Sequence, residues 1–179
     1  YNEFKRGLFA IGETLLPEII DREVLPEDTE RYQTVFAKNE GAVAAPSAGL
    51  HFSKILITKL KLKGVEVANV TLHAGLGNFR SVDVEDLVKH KMDSEQIFIS
   101  QETANIVNAA KERQSKVCAI GTTVLRTLES SVSINGGLKP FDGWTNKFLF
   151  PPYTVKIPTA MVSNFHLPKS TLMMSVASF

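Results

Sequence analysis

The chain has 179 residues, 44% of them hydrophobic, with 20 Lys and Arg against 19 Asp and Glu for a formal net charge of +1, and its mean hydropathy is zero. That is enough chain for one ordinary core, one domain or slightly more, and the composition excludes disorder, collagen and coiled coil. The balanced charge carries no signature of a dedicated nucleic-acid binder, so any RNA contact must be local; no stretch approaches the roughly 18 apolar residues of a membrane span, and no signal-peptide pattern opens the chain.

Residues 1–30 carry Pro17, Pro26 and most of a charge-rich stretch that runs from Asp21 to Arg31, and read as a surface connection without a core of its own. An alternation of strand-like and helix-like segments follows, the pattern of an α/β domain. The first unit is a short apolar strand at Gly41–Ala45, a polar loop from Pro46 to Phe52, and a helix capped by Ser53, with Leu56 and Leu60 on its apolar face and Gly64 after its end. A valine-rich strand is expected over Val65–Leu72, then a short helix near Val84–Lys91 and a strand near Gln96–Ser100. Ser100 caps a well-patterned helix with Glu102 in its first turn, Ile106, Val107 and Ala110 inside, and Lys111 and Arg113 towards its end. A strand over Lys116–Ile120 leads through Gly121 into a helix carrying Val124, Leu125, Leu128 and Val132, which Asn135-Gly136-Gly137 terminates. Phe148–Phe150 and Tyr153–Ile157 read as strand-like, and Ser170 begins a last helix.

The fold class expected is therefore α/β, with a mixed, largely parallel sheet and flanking helices. Cys118 is the one cysteine and sits in an apolar run, which predicts a small buried hydrophobe rather than an activated thiol, in a reduced, cytoplasmic compartment. Both ends look cut: the chain opens at Tyr1 without a methionine and stops at Phe179 inside an apolar run, so the natural protein is expected to continue.

Polar, glycine-bearing loops follow three separate apolar strands, at Ser47–His51, His73–Arg80 and Gly121–Thr123. If those strands are parallel, the loops share the edge of the sheet where such folds place ligands. Glycines in them let backbone N–H groups approach a ligand closely. Gly75-Leu76-Gly77 alone is a weak signal that an ordinary turn explains as well, and it is not a dinucleotide fingerprint. Arg126 and Glu129, three apart on a helix, read equally as a surface ion pair or as ligand-facing groups with Thr122. A histidine near apolar residues is more often a hydrogen-bonded core residue than a ligand, and no pair of histidines has zinc spacing, so no metal site is predicted.

Five segments in register carry more: Tyr32–Ala37, Ala44–Phe52, Thr71–Arg80, Gly121–Thr123 with Arg126–Ser130, and Asn164–Leu172. Together they resemble the S-adenosylmethionine:tRNA ribosyltransferase-isomerases of queuosine biosynthesis, from about residue 16 onward. The resemblance implies a two-domain enzyme with a smaller β domain inserted into a larger α/β one, of which this chain would be a fragment of the larger domain. Residues 1–30 would be the connection returning from the insertion, and residues 31–179 an incomplete catalytic domain. It implies transfer and isomerisation of the ribosyl group of S-adenosylmethionine onto an aminomethyl-deazaguanine in tRNA, giving epoxyqueuosine and releasing adenine and methionine. The donor is a co-substrate, and no separate cofactor is expected. The partner would be the tRNA anticodon loop, and the protein a monomer without membrane contact.

On the same resemblance His51 and His73 are the acid/base candidates. Ser47, Gly49, Gly75, Gly77, Phe79, Arg80, Thr122, Thr123, Arg126, Glu129, Asn164 and His166 would bind substrates. The chain departs from the family pattern, which has threonine where Ser47 and Asn78 stand, proline at Ser81, histidine at Asp93, serine at Val124 and glycine at Pro152. The changes at Asp93, Val124 and Pro152 leave two alternatives open: a divergent S-adenosylmethionine-dependent transferase with another acceptor, or a non-catalytic RNA- or nucleotide-binding paralogue.

Overall fold

A computed structural model describes residues 2–17, 20–75, 77 and 81–179. Helix α1 (Asn2–Ile11) buries none of its residues, and a single helical turn, α2 (Asp28–Arg31), follows. Asp28 is buried beneath that turn, where it accepts from both Arg22 Nη atoms at 2.6 and 2.7 Å and from the Leu25 N–H at 2.8 Å.

Three helices begin where a serine hydroxyl can take an orphan N–H, the local signal that fixes their starts. Ser53 accepts from Leu56 N at α3 (Lys54–Leu62), Ser100 from Thr103 N at α4 (Gln101–Glu112), and Ser170 from Met173 N at α6 (Thr171–Ala177). Helix α5 (Thr122–Ser130) instead begins at Gly121, whose φ of 100° lies in the region that favours glycine. Gly64, after α3, has φ 82°, as its place after the helix end predicts.

The sheets correct the expected architecture. Strands β1 (Thr71–Leu72), β2 (Glu95–Ile99) and β4 (Phe141–Thr145) form an antiparallel sheet in the order β1-β2-β4. Among the described residues only β3 (Cys118–Ile120) and β5 (Ala160–Val162) pair in parallel, as a separate two-stranded sheet. The structure is mixed α/β, but its sheet is not largely parallel. Gly41–Ala45 forms no strand, although Val43 N makes a ladder-like bond to Ala74 O at 2.8 Å. Val65–Val70, Phe148–Phe150 and Tyr153–Ile157 are likewise irregular, and the helix expected at Val84–Lys91 is a 3-10 turn at Leu87–Lys89.

Along β2 the burial alternates strictly, with Glu95, Ile97 and Ile99 inside and Gln96 and Phe98 outside, the two-residue period of a sheet with one covered face. Ile99 joins Ala104 and Val107 of α4, Leu128 of α5, Leu138 and Ile157 in the main core. Ala119, Leu125 and Leu149 form a second cluster. Helix α5 contributes to both, so its axis is fixed from two sides. In α4 the buried residues are Thr103, Ala104 and Val107, while Ile106 and Ala110 are half-buried. Cys118 is exposed rather than buried, because it occupies the outward position next to Ala119 on a strand with a two-residue period.

Candidate functional site

Helix α5 is the element on which the candidate residues converge. At its N-terminal end, a Cβ placed on Gly121 would lie 3.7 Å from Ala48 Cβ, so the 3-10 turn Ser47–His51 packs directly against it. The Gly121 N–H donates to Val162 O at 2.8 Å, which draws in the segment after β5. From that segment Asn164 Oδ1 meets His51 Nε2 at 2.8 Å, joining residues 113 apart in sequence. Thus Ser47, Gly49, His51, Thr122, Thr123 and Asn164 belong to one neighbourhood. His166 is half-buried in the same segment, its Nε2 2.9 Å from Ser163 Oγ, and burial pushes its ionisation below the ordinary histidine value.

Gly49 itself is explained by packing. It is buried, and a Cβ there would sit 3.0 Å from Thr34 Cγ2.

One helical turn further along α5, about 6 Å by the rise of an α-helix, Arg126 is 5% exposed and paired with the equally buried Glu95 of β2. Burial pulls the guanidinium down from its ordinary value and the Glu95 carboxylate opposes that shift; arginine remains charged throughout. Glu95 Oε1 also accepts the Gly75 N–H at 2.9 Å, so the loop after β1 is bound to α5 through one carboxylate. His73 begins this loop, its N–H donating to Gln96 O at 2.9 Å and its ring against Gly41, where a Cβ would lie 2.7 Å from Nδ1. Gly77 is buried, and a Cβ on it would come within 2.6 Å of Asp93 Oδ2. Phe79 and Arg80 lie outside the described residues.

Arg126 and Glu129 are not a surface ion pair. Both are buried, and they point to different partners. Glu129 accepts from Tyr153 Oη at 2.7 Å and from the N–H groups of Lys156 and Ile157 at 3.0 and 2.8 Å. Burial and then Glu129 push the Tyr153 phenol up. Lys147 Nζ lies 4.8 Å from the centre of the Tyr153 ring, and burial lowers its ionisation.

Sequence reasoning missed Glu95. The signal was present: with Ile97 and Ile99 on the covered face of β2, the two-residue period puts residue 95 there too, and a charge on a buried face needs a partner.

Two surface depressions of about 350 and 410 Å³ lie elsewhere, one lined by Phe98–Gln101 and Pro140–Asp142, the other by Val132–Asn135 and Lys139. Neither contains a candidate residue. Among the described residues no cluster of three His, Cys, Asp or Glu could hold a metal ion, and no helix is long and apolar enough to cross a membrane.

The fold and the gathered loops define a mixed α/β protein whose candidate site is assembled around one helix. The chain belongs to the family described as queuosine biosynthesis protein, which matches residues 1–179. It is 61% identical over 179 residues to the S-adenosylmethionine:tRNA ribosyltransferase-isomerase of Flavobacterium psychrophilum, and 58% identical over 179 residues to that of Phocaeicola vulgatus. Each alignment covers 100% of this chain and 51% of the relative; the chain thus spans about half the length of the curated relatives it matches. A solved structure, the S-adenosylmethionine tRNA ribosyltransferase of Thermotoga maritima, is similar with a TM-score of 0.56 at 38% identity, over 74% of this chain and 40% of that one.

Proposed function

We propose that the chain carries part of the active site of an S-adenosylmethionine:tRNA ribosyltransferase-isomerase that forms epoxyqueuosine in tRNA. The observation that carries this reading is the meeting, on one helix, of motif loops more than a hundred residues apart, with His51 tied to Asn164 at one end and the Gly75 loop tied to Arg126 a turn away. The family membership and the relatives' names support ribosyl transfer and isomerisation with S-adenosylmethionine and tRNA as the reaction.

In that chemistry the sulfonium of S-adenosylmethionine stabilises charge on the ribose carbon beside it. A base removes a proton there, the ring opens and adenine leaves with a proton supplied by an acid. The amine of the aminomethyl-deazaguanine adds to the unsaturated sulfonium, and closure to the epoxide releases methionine. His51 and His73 share the acid and base roles. With Nε2 of His51 donating to Asn164 Oδ1, its Nδ1 keeps the lone pair that proton transfer requires. Arg126, with Ser47, Thr122, Thr123 and the loop glycines, would orient the substrates, and His166 would close the side formed by residues 163–166. Phe79 and Arg80 stay in this assignment from the sequence alone. Glu129 is assigned to holding the segment at 153–157, since three protein donors engage it.

The tRNA would be held chiefly through phosphates, with the target base extruded from the anticodon loop. S-adenosylmethionine serves as co-substrate without a further cofactor, and the protein would act as a cytoplasmic monomer. Residues 1–30 would return from an inserted β domain into the catalytic domain at 31–179, a reading supported by an α1 that buries nothing.

His51→Ala and His73→Ala in the complete protein test the assignment by adenine release. Each is expected to lower the rate by roughly 10² or more, the usual contribution of a positioned acid or base. Near wild-type rates in both would remove it.

A further inference from the structure

Glu95 stands at the point where the β1–β2 ladder ends. Its strand is pinned along its other edge by β4, with Glu95 opposite Thr145, Ile97 opposite Gly143 and Ile99 opposite Phe141. On the β1 side the pairing covers Thr71 and Leu72, and His73 adds one more bond before the chain turns away. The next N–H on that side, at Gly75, is met by the Glu95 side chain instead of by a backbone carbonyl. The same carboxylate, 2% exposed, binds Arg126 through its other oxygen, Oε2.

Stability alone accounts poorly for this arrangement. A buried ion pair is a weak source of stability, because desolvation of the two charges offsets their attraction. The pair also leaves Arg126 Nε buried without a hydrogen-bond partner among the described residues, which costs further free energy. At Gly75 an added Cβ would meet nothing among the described residues within 4 Å, and its φ is not left-handed. Among the described residues, then, nothing demands a glycine at 75, and its backbone can admit a closely approaching ligand.

We propose that Glu95 is a positioning residue: one buried carboxylate on β2 holds the Gly75 backbone and the Arg126 guanidinium in a fixed relation, so that both meet the S-adenosylmethionine together. The inference rests on the reading of the site as the S-adenosylmethionine site. Glu95 touches no substrate and acts through the groups it holds, among them the Gly75 N–H and Arg126. Displacement of either partner by about one ångström is enough to weaken productive binding.

The test is Glu95→Asp in the complete protein, with Glu95→Gln alongside. Aspartate keeps the charge opposite Arg126 but is one methylene shorter, so it cannot reach both partners in place. Calorimetry of S-adenosylmethionine binding, KM and kcat for adenine release, and the thermal midpoint are read together. For Glu95→Asp, Kd and KM are expected to rise roughly tenfold with a smaller change in kcat, as for lost binding contacts, in a protein that still unfolds cooperatively. Kd and KM within twofold of wild type, whatever the midpoint, would reduce Glu95 to a scaffold group and overturn the proposal. Should neither variant fold, amide exchange on the wild type decides: saturating S-adenosylmethionine is expected to slow exchange at Gly75 at least tenfold, and an unchanged rate overturns the proposal. A wild type that binds S-adenosylmethionine but releases no adenine with precursor tRNA refutes the reaction, and Kd alone then judges Glu95. A wild type that does not bind it refutes both.

Discussion

Replacing Glu129 by alanine removes the carboxylate that ties α5 to the irregular segment at 153–157, and the loss can be worked from its three bonds. The Ile157 N–H belongs to a fully buried residue and has no water to turn to; losing a charged acceptor there costs about 2–3 kcal/mol. Lys156 is exposed and Tyr153 half-buried, so both recover solvent, and their bonds are worth about 1 kcal/mol each. The sum, about 4–5 kcal/mol, is a large share of the 5–15 kcal/mol typical of a folded domain. Glu129→Gln keeps an acceptor for both backbone donors and an amide for the Tyr153 oxygen, and should lose only about 1–2 kcal/mol. Urea unfolding of the complete protein, followed by far-ultraviolet circular dichroism, reads both differences from the shift in midpoint. Alanine costing under about 1 kcal/mol, or glutamine costing as much as alanine, would refute the reasoning.

Three further outcomes follow from the geometry. Asn164→Asp places a negative charge 2.8 Å from His51 Nε2, which favours a protonated ring; the limb of the pH–rate profile that His51 controls should move to higher pH, and an unmoved profile would detach His51 from the chemistry. Asp28 is held by Arg22 and by the Leu25 N–H at about 2, below its ordinary 3.8. A depressed carboxyl contributes stability that is complete above its unfolded value and is lost as pH falls from about 4 towards 2; Asp28→Asn should flatten the acid limb of a stability–pH curve in that window. Cys118 is exposed, yet partial burial pushes its thiol up. At neutral pH it should react with aromatic disulfides more slowly than free cysteine does, because the thiolate is the reactive form; a rate above that of free cysteine would contradict this.

The parts of the fold legible in the sequence are those fixed locally. Ser53, Ser100 and Ser170 each cap a helix at the expected residue, since the cap and the N–H it satisfies are three residues apart. Strand β2 is legible for the same reason, through its two-residue period. Strand direction is not a local property, and the expectation of a parallel sheet failed at β1, which pairs antiparallel with β2. β4 was missed because Asp142 and Gly143 interrupt the apolar pattern, and its register with β2 supplies what its own residues do not signal. The loops of the candidate site were visible as motifs. The bonds that draw them together, His51 to Asn164 and Gly75 through Glu95 to Arg126, span chain separations that no short-range pattern encodes.

Incubation of the complete protein with S-adenosylmethionine and tRNA bearing the aminomethyl-deazaguanine tests the central reading most directly. Adenine and methionine should appear in equal amounts, matched by epoxyqueuosine in the tRNA. Retention of the tRNA without any adenine, or adenine released with no epoxyqueuosine formed, would contradict it.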